Sequence, residues 1–265
     1  MILSHKFKFI FMQSRKTGES TVKSYLNHYL GPRDIQIGAW SDAFMNGGRV
    51  NRQLVYDCMK SITCKPLHSL QIVLNIFRHV LSPAMYTGKK RKISTLLNRL
   101  QKARYRYKNP GHPTATEVKN DYFEEWKRYW TFSFVRNPFE KAVSDYLWRK
   151  RLIGTEQVSF REFMERVDDP TRDDPEGIVP LPRTNWPIYT INDSPAVDFV
   201  GRHEQFREHL ECAFSEIGVP FEEEKLPKTK QSISYDYKSF YDNRSLKLVN
   251  RVYKKEIEYF SYSFN

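Results

Sequence analysis

A cluster of cationic and hydroxyl side chains follows the first apolar run of the chain. That run, residues 6–13, has the alternation and apolar content of a buried strand, and residues 15–21 then read Arg-Lys-Thr-Gly-Glu-Ser-Thr. A loop between a buried strand and a helix offers unpaired backbone N–H groups and the positive end of the helix dipole, so it attracts anions. The contributing residues are Lys16, Gly18 and the hydroxyl donors Thr17, Ser20 and Thr21. A solvated turn with a capping hydroxyl has the same spacing, so the pattern alone leaves both interpretations open.

A second pairing of a cation with a hydroxyl follows the apolar run 130–135. Arg136 comes directly after that run, and Ser144 lies eight residues further on, within a helix that we expect at about 139–151. Eight residues are just over two helical turns, so both side chains can face one bound group. An arginine with a hydroxyl suits a dianionic phosphate. Alternatively, Arg136 caps loop carbonyls and Ser144 is a small packing residue.

The spacing of other residues disfavours two further chemistries. A P-loop kinase or NTPase requires two glycines separated by four residues before a Lys-Ser/Thr pair, and the segment 12–18 contains a single glycine. His203 and His209 are six residues apart, which does not place them on one helical face, and the sequence suggests no third ligand. We therefore predict neither a P-loop NTPase nor a metal site.

The elements around these residues alternate between strand and helix. The chain begins with a strand, a basic loop and a helix, and the same pattern recurs at 130–151. Further predicted elements are an Asp- and Pro-rich surface loop at 168–187, short strands at 188–191 and 197–200, and helices at 204–217 and 243–260. This order predicts an α/β fold with a mainly parallel central sheet, whose ligands bind beyond the carboxyl ends of the strands.

Positive charge is concentrated in one stretch of the 265-residue chain. The formal net charge is +12, yet residues 44–112 alone carry 14 Lys and Arg against the single acidic residue Asp57. We interpret 44–110 as a basic, mostly helical insert that attracts an anionic partner. Its predicted helices lie near 50–62, 66–81 and 92–106. The alternating cations and tyrosines of 104–108 can also stack nucleobases, so a nucleic-acid-binding protein is the alternative function, although a solvated helix face explains them equally well.

The composition is that of an ordinary folded protein. Hydrophobic residues make up 40% and aromatic residues 15% of the chain, and the three cysteines form no CxxC pair, which suits reduced thiols. The sequence contains neither an uninterrupted apolar run long enough for a bilayer nor the pattern of a secretory signal. We therefore expect a cytoplasmic protein without a transmembrane anchor.

Four segments of the chain carry the motifs of one known enzyme family. They are residues 9–21, 112–117, 132–146 and 197–204. In that order they resemble the 5′-phosphosulfate loop, a His-containing segment, the 3′-phosphate motif and a late strand-to-helix junction of sulfotransferases that use 3′-phosphoadenosine 5′-phosphosulfate (PAPS). The form of the motifs is similar to the carbohydrate-type, 2-O-sulfotransferase-related branch and its bacterial relatives. The resemblance covers 6–43 and 110–265 but not the basic insert.

The resemblance implies a P-loop-like three-layer fold in a single sulfotransferase domain over residues 1–265. It also implies PAPS as the sulfuryl donor, without a metal ion. The implied donor-binding residues are Arg15, Lys16, Thr17, Gly18, Glu19, Ser20 and Thr21 in the first loop, and Arg136, Ser144, Lys230 and Ser232 around the 3′-phosphate. Three residues depart from the family pattern: Arg15 replaces a proline, Glu19 a small residue and Lys230 an asparagine. A carboxylate at position 19 repels the donor unless it turns away or serves as a base.

Roles for the reacting groups follow from the donor. Sulfuryl transfer is an in-line displacement in which negative charge grows on the oxygen that leaves with the nucleotide, and Lys16 is placed to stabilise that charge. His112, an imidazole with a pKa near neutrality, is the expected general base, and Glu19 is the reserve base. The implied acceptor is either an acidic saccharide, which the charge of the insert favours, or a small natural product with a hydroxyl or amine. We expect no nucleic-acid partner.

Overall fold

The computed structural model describes residues 1–38, 40–62, 97–98, 100–101, 104–105, 107–109, 111–227 and 235–264. The predicted insert helix near 66–81 lies outside these residues, and the one near 92–106 is described only in part. Lys230 and Ser232 also lie outside them.

Five strands form the central sheet. They are β1 (Ile2–Ser4), β2 (Phe9–Phe11), β3 (Ile35–Gln36), β4 (Trp130–Val135) and β7 (Phe199–Arg202), while β5 (Thr190–Ile191) and β6 (Ser194–Pro195) form a separate hairpin. The spatial order is β3-β1-β2-β4-β7, with β4 parallel to both β2 and β7, and β1 antiparallel to both β2 and β3. Four of the five strands therefore run in one direction, which confirms the predicted mainly parallel sheet.

Helices cover both faces of this sheet. The described helices are α1 (Glu19–Asn27), α2 (Trp40–Met45), α3 (Arg52–Ile62), α4 (Ala115–Asp121), α5 (Phe123–Arg128), α6 (Pro138–Ile153), α7 (Phe160–Asp168), α8 (Trp186–Tyr189), α9 (Phe206–Glu216), α10 (Asn243–Val252) and α11 (Lys254–Phe260). Alternate residues of each strand point to opposite faces, so each face has its own apolar core. Phe11 and Phe132 pack with α1 and α9 on one face, whereas Ile10 and Met12 pack with α4, α8 and α11 on the other.

A third apolar cluster joins helices α6, α7 and α10 at the side of the sheet. Phe139, Val143, Phe163, Leu248 and Val249 form its buried centre. Helix α6 therefore has one side in this cluster while its first turn follows directly from the carboxyl end of β4. This packing holds the residues after Val135 in place relative to the sheet.

Local sequence signals set the ends of the two helices that flank the predicted site. Helix α6 begins at a proline after Asn137, whose Oδ1 accepts a hydrogen bond from Phe139 N at 3.0 Å, and it ends at Gly154 in the left-handed conformation. Helix α4 begins after Thr114, which forms a capping box with Glu117. These signals place Arg136 before one helix and His112 before the other.

The structure corrects several predicted elements. Half of the predicted strand at 188–191 is helical, because Ile188 and Tyr189 belong to α8, and Thr190 and Ile191 are extended. The predicted helix 243–260 is two helices that meet at Tyr253, and the predicted strand 6–13 is extended only over Phe9–Phe11. Strand β1 is an addition, because residues 2–4 are too few to show a pattern in the sequence.

The tyrosines of the basic segment do not form an open stacking surface. Tyr105 and Tyr107 are both buried in the core beside α4, and the Tyr105 hydroxyl donates a hydrogen bond to Asp57 Oδ2 at 2.6 Å. Neither ring is therefore available to stack a nucleobase, which removes the observation that favoured a nucleic-acid binder. Within the described ranges, no helix combines the length and the apolar content that crossing a membrane requires.

Candidate active site

The loop between β2 and α1 is tied to the neighbouring strand β4. Met12 N donates a hydrogen bond to Phe132 O at 2.8 Å, and Ser133 Oγ donates one to Met12 O at 2.8 Å. Further along the loop, Thr17 Oγ1 donates to Ser14 O at 2.9 Å. The Thr17 hydroxyl, predicted to contact the donor, therefore closes a turn within the loop.

Two residues of this loop have positive φ angles. Lys16 has a φ of 62°, which is uncommon for a residue with a Cβ, and Gly18 has a φ of 85°. A Cβ on Gly18 would also lie 2.5 Å from Phe206 Cε2, so the ring at the start of α9 requires a glycine there. The sequence suggested that the missing side chain of Gly18 lets a ligand approach the backbone, whereas in the structure the ring of Phe206 occupies that space. The strained backbone at Lys16 is a common feature of functional loops.

Arg15 joins the loop to a distant segment of the chain. Its guanidinium donates hydrogen bonds to Pro182 O at 2.5 Å and Arg183 O at 3.4 Å, while its backbone N and O both bond to the side-chain amide of Asn185. The residue is only 4% exposed. Arg15 therefore positions the loop, and a direct contact with the donor stays a prediction.

A buried carboxylate balances Arg15 from helix α6. Asp145 Oδ2 lies 3.5 Å from Arg15 Nε and 3.1 Å from Lys141 Nζ, and all three side chains are almost fully buried. Burial alone raises the pKa of Asp145, but the ammonium and the guanidinium outweigh it and hold that pKa well below its usual range. Asp145 therefore stays ionised at all ordinary pH values.

A cavity of about 740 Å³ opens beside the loop. Its lining includes all three predicted catalytic residues, Lys16, Glu19 and His112. Other residues of its wall are Gln13, Arg15, Ser20, Asp42, Gln101, Lys108, Asn109, Asp145, Trp148, Arg149, Asp174 and Leu181. The Lys16 ammonium lies 5.7 Å from the centre of the Trp148 ring, within range of a cation–π contact. The structure thus brings together side chains from the loop, from α6 and from the segments around residues 98–112 and 174–181.

The contacts of His112 determine its protonation. Its Nδ1 lies 2.9 Å from Gln13 O, and a carbonyl oxygen only accepts, so Nδ1 carries the proton. Burial, followed by the positive charge of Arg15, lowers the pKa of His112 well below 6.5. The ring is therefore neutral at neutral pH with an unprotonated Nε2, a form that accepts a proton. The expected pKa near neutrality was wrong, because the sequence shows neither the burial nor the approach of Arg15.

The side chains at the start of α1 are divided between the cavity and the protein interior. Ser20 Oγ donates a hydrogen bond to Asp42 Oδ2 at 2.6 Å, so this predicted ligand of the donor is directed at a carboxylate. Lys23, one turn further along α1, is completely buried and donates hydrogen bonds to Gln13 Oε1 and Ile37 O. Burial lowers the pKa of Lys23 to about 7, although Glu19 and Asp42 oppose the shift. Thr21 is partly buried on the same helix.

Arg136 contacts the loop and is not among the residues that line this cavity. Its Nη1 donates to Lys16 O at 3.3 Å and its Nη2 to Glu140 Oε1 at 2.5 Å. The described residues provide no partner for its buried Nε. Ser144, two turns along α6, is partly buried, and Tyr235 lies close to both Ser144 and Arg136. A phosphate bound by both Ser144 and Arg136 stays a prediction. His203 also approaches Arg136, and burial together with that guanidinium lowers the pKa of His203 to about 4.

Several residues of the site were not predicted. Asn185, Gln13 and Lys23 act through contacts with residues far away in the sequence, and no local pattern marks them. Asp145 had a signal, because it stands four residues after Lys141 in a helix and is therefore its neighbour. In the part of the chain that the structure describes, no group of three His, Cys, Asp or Glu side chains is arranged to hold a metal ion.

Comparison with known proteins defines the class of this protein. Residues 1–263 match the model of the Sulfotransferase family, so the chain belongs to that family and is a sulfotransferase. Such enzymes generally use PAPS as the sulfuryl donor. The chain is also similar to an uncharacterized protein of Archaeoglobus fulgidus, with 34% identity over 99 residues that cover 36% of this chain and 72% of the relative. No solved structure matches the chain.

The buried carboxylate at the centre of the site generates a stability prediction. We expect Asp145→Asn to lower the free energy of unfolding by roughly 3–5 kcal/mol, because two buried cations lose their counter-charge. Asp193→Asn is the control, since it removes a carboxylate from the exposed Asp193–Lys255 pair and is expected to change little. Urea unfolding at neutral pH measures both variants, and equal stability for the two would show that Asp145 is not needed for folding.

The same carboxylate predicts a pH dependence of stability. Because the folded-state pKa of Asp145 is lowered, its contribution is fully present above its ordinary pKa of 3.8 and is lost as the pH falls through the lower folded-state value. The difference in stability between wild type and Asp145→Asn should therefore shrink below about pH 4. A difference that stays constant down to pH 2 would contradict the assignment.

Proposed function

We propose that this sulfotransferase moves the sulfuryl group of PAPS to a hydroxyl or amine of a saccharide or small natural product. The observation that carries the proposal is the convergence of Lys16, Glu19 and His112 on one cavity at the carboxyl edge of parallel strands. That edge is where ligands of open α/β sheets bind. A P-loop-like arrangement of the sheet and the β2–α1 loop, a single domain over residues 1–265 and a cytoplasmic location remain parts of the proposal.

The donor would extend across the loop from Lys16 towards Arg136. The guanidinium of Arg136 donates to Lys16 O, so the two cations are linked, and its buried Nε retains an unused donor among the described residues. An unused donor beside a partly buried hydroxyl, Ser144, suits the 3′-phosphate of the nucleotide. Lys230 and Ser232, which lie outside the described residues, remain proposed ligands of the same phosphate.

The chemistry requires a cation at the leaving oxygen and a base at the acceptor. Lys16 is held in place by its strained backbone and by Trp148, so its ammonium is positioned before negative charge develops. His112 keeps Nδ1 protonated against Gln13 O, which leaves Nε2 to accept the acceptor's proton. Glu19 lines the same cavity and remains the reserve base.

The first test separates the two halves of the donor. We expect Arg136→Ala to weaken binding of 3′-phosphoadenosine 5′-phosphate roughly 10- to 100-fold, which corresponds to one charge-assisted contact. Adenosine 5′-phosphosulfate lacks the 3′-phosphate, so its affinity should change little. Calorimetry with both ligands provides the measurement, and Arg136→Lys controls for charge. An equal loss for both ligands would make Arg136 a structural residue instead.

The second test concerns the leaving group. Lys16→Ala should lower kcat roughly 10²- to 10³-fold while nucleotide affinity changes far less, because the ammonium is most useful in the transition state. Lys16→Arg keeps the charge and should retain more activity. Release of the product nucleotide is followed with a panel of saccharide, phenol and amine acceptors. A loss confined to KM would argue against the role.

The third test identifies the base. His112→Ala should lower kcat by about 10²- to 10⁴-fold and leave nucleotide binding intact. The pKa of His112 lies below 6.5, so His112 loses its proton below that pH. The wild-type rate should therefore rise with pH below 6.5 and level off near neutrality. The variant should lack this rise.

Glu19→Gln is the matched comparison for His112→Ala. If Glu19→Gln is the more damaging change and the pH profile survives in His112→Ala, the base is Glu19 in the loop. Wild-type activity that shows no rise with pH on the acidic side would likewise remove His112 from the mechanism.

A further inference from the structure

A carboxylate of the protein already occupies the proposed 3′-phosphate site. The Glu140 carboxylate lies 2.5 Å from Arg136 Nη2; Arg136 precedes α6, and Glu140 lies four residues later in the first turn of that helix. The side chain of Arg136 is 8% exposed, whereas that of Glu140 is 33% exposed. The arginine is therefore fixed in the protein, while the glutamate has solvent into which its carboxylate can move.

Glu140 binds one of the two N–H donors on one edge of the Arg136 guanidinium. An arginine binds a carboxylate or phosphate bidentately with two N–H groups that point in the same direction, and Nε with Nη2 is such a pair. Glu140 takes Nη2, and Nε has no partner among the described residues. The remaining nitrogen, Nη1, donates to Lys16 O. A phosphate can bind Nε and Nη2 together only when Glu140 leaves Nη2.

A second carboxylate takes a neighbouring donor. Glu204 Oε1 accepts a hydrogen bond from Asn137 N at 2.6 Å, and Glu204 Oε2 accepts one from the Tyr262 hydroxyl at 3.0 Å. Glu204 is thus held by two elements, whereas Glu140 contacts the site from the helix surface. His203 is neutral near pH 7, so it does not offset the negative charge of the two glutamates.

We propose that Glu140 competes with the 3′-phosphate for Arg136 and thereby limits the affinity of the nucleotide. This inference rests on the proposed function. Binding of the donor displaces the Glu140 carboxylate from Nη2 into solvent, and the carboxylate returns when the product nucleotide leaves. The ion pair therefore keeps the buried guanidinium partly neutralised between turnovers and favours product release, a step that limits many enzymes.

Calorimetric titration of the full chain with two nucleotides tests the proposal. The ligands are 3′-phosphoadenosine 5′-phosphate and adenosine 5′-phosphate, which differ only in the 3′-phosphate. We expect Glu140→Gln to bind the first roughly three- to tenfold more tightly and the second as wild type does, the size expected for one partly exposed ion pair. Glu124→Gln is the control, because Glu124 forms an exposed pair with Arg128 at the same spacing in α5.

The possible results of these titrations distinguish failure of the competition from failure of the proposed donor. If wild type binds the 3′-phosphorylated nucleotide and Glu140→Gln binds it equally or more weakly, the competition is refuted and Glu140 is a nucleotide contact or a structural residue. If both nucleotides gain affinity equally, the effect is one of general charge, and the proposal also falls. If wild type binds neither nucleotide, the proposed donor is wrong and this inference falls with it. Glu140→Ala repeats the test without an amide, and thermal unfolding without ligand verifies that each variant is folded.

Discussion

The buried carboxylate of Asp145 is the interaction on which the arrangement of the site depends. It lies between Lys141 of its own helix and Arg15 of the β2–α1 loop, and Arg15 in turn bonds to the carbonyls of Pro182 and Arg183. Arg15 therefore links three segments that are far apart in the sequence: its own loop, helix α6 through Asp145, and residues 182–183. Removing charges from water is costly, so the cluster is stable only when all its members are present. Because Arg15 is paired with Asp145, it does not simply add a second positive charge beside Lys16 in the cavity.

The contacts of the β2–α1 loop distinguish the residues that position the loop from Lys16. Arg15, Thr17 and Ser20 form hydrogen bonds with other groups of the protein, and the side chain of Lys16 lies on the cavity wall. A loop held by its neighbours can keep Lys16 in a backbone conformation that the residue rarely adopts. In the proposed mechanism, Lys16 therefore takes part in the reaction, whereas Arg15, Thr17 and Ser20 maintain the geometry of the loop.

Features that depend on local sequence signals could be predicted, whereas features that depend on contacts between distant residues could not. Strand β4 and helix α6 were predicted almost to the residue, because periodicity, a proline and a glycine are local signals. The predicted pairing of Ser144 with Arg136 also rests on a local signal, the helical spacing. In contrast, the partner of Arg15 lies about 170 residues away, and the lowered pKa of His112 depends on burial and on that same arginine. Ile188 and Tyr189, which the sequence predicted to begin a strand, lie instead at the end of helix α8, because tertiary context overrides the local preference.

The carboxylates of the cavity wall bear on the choice between acceptors. Asp145 is committed to Arg15 and Lys141, Asp174 accepts hydrogen bonds from Arg166 and the backbone N–H groups of Ile178 and Val179, and Asp42 accepts one from Ser20. These acidic groups hold the protein's own donors and bring negative charge close to the acceptor. The same wall also contains the basic side chains of Arg15, Lys16, Lys108 and Arg149, so the formal charges of its acidic and basic groups balance. Because these charges balance, charge alone does not distinguish a saccharide from a small natural product at the described wall, and hydrogen bonds to the acceptor carry the selection in the proposed function.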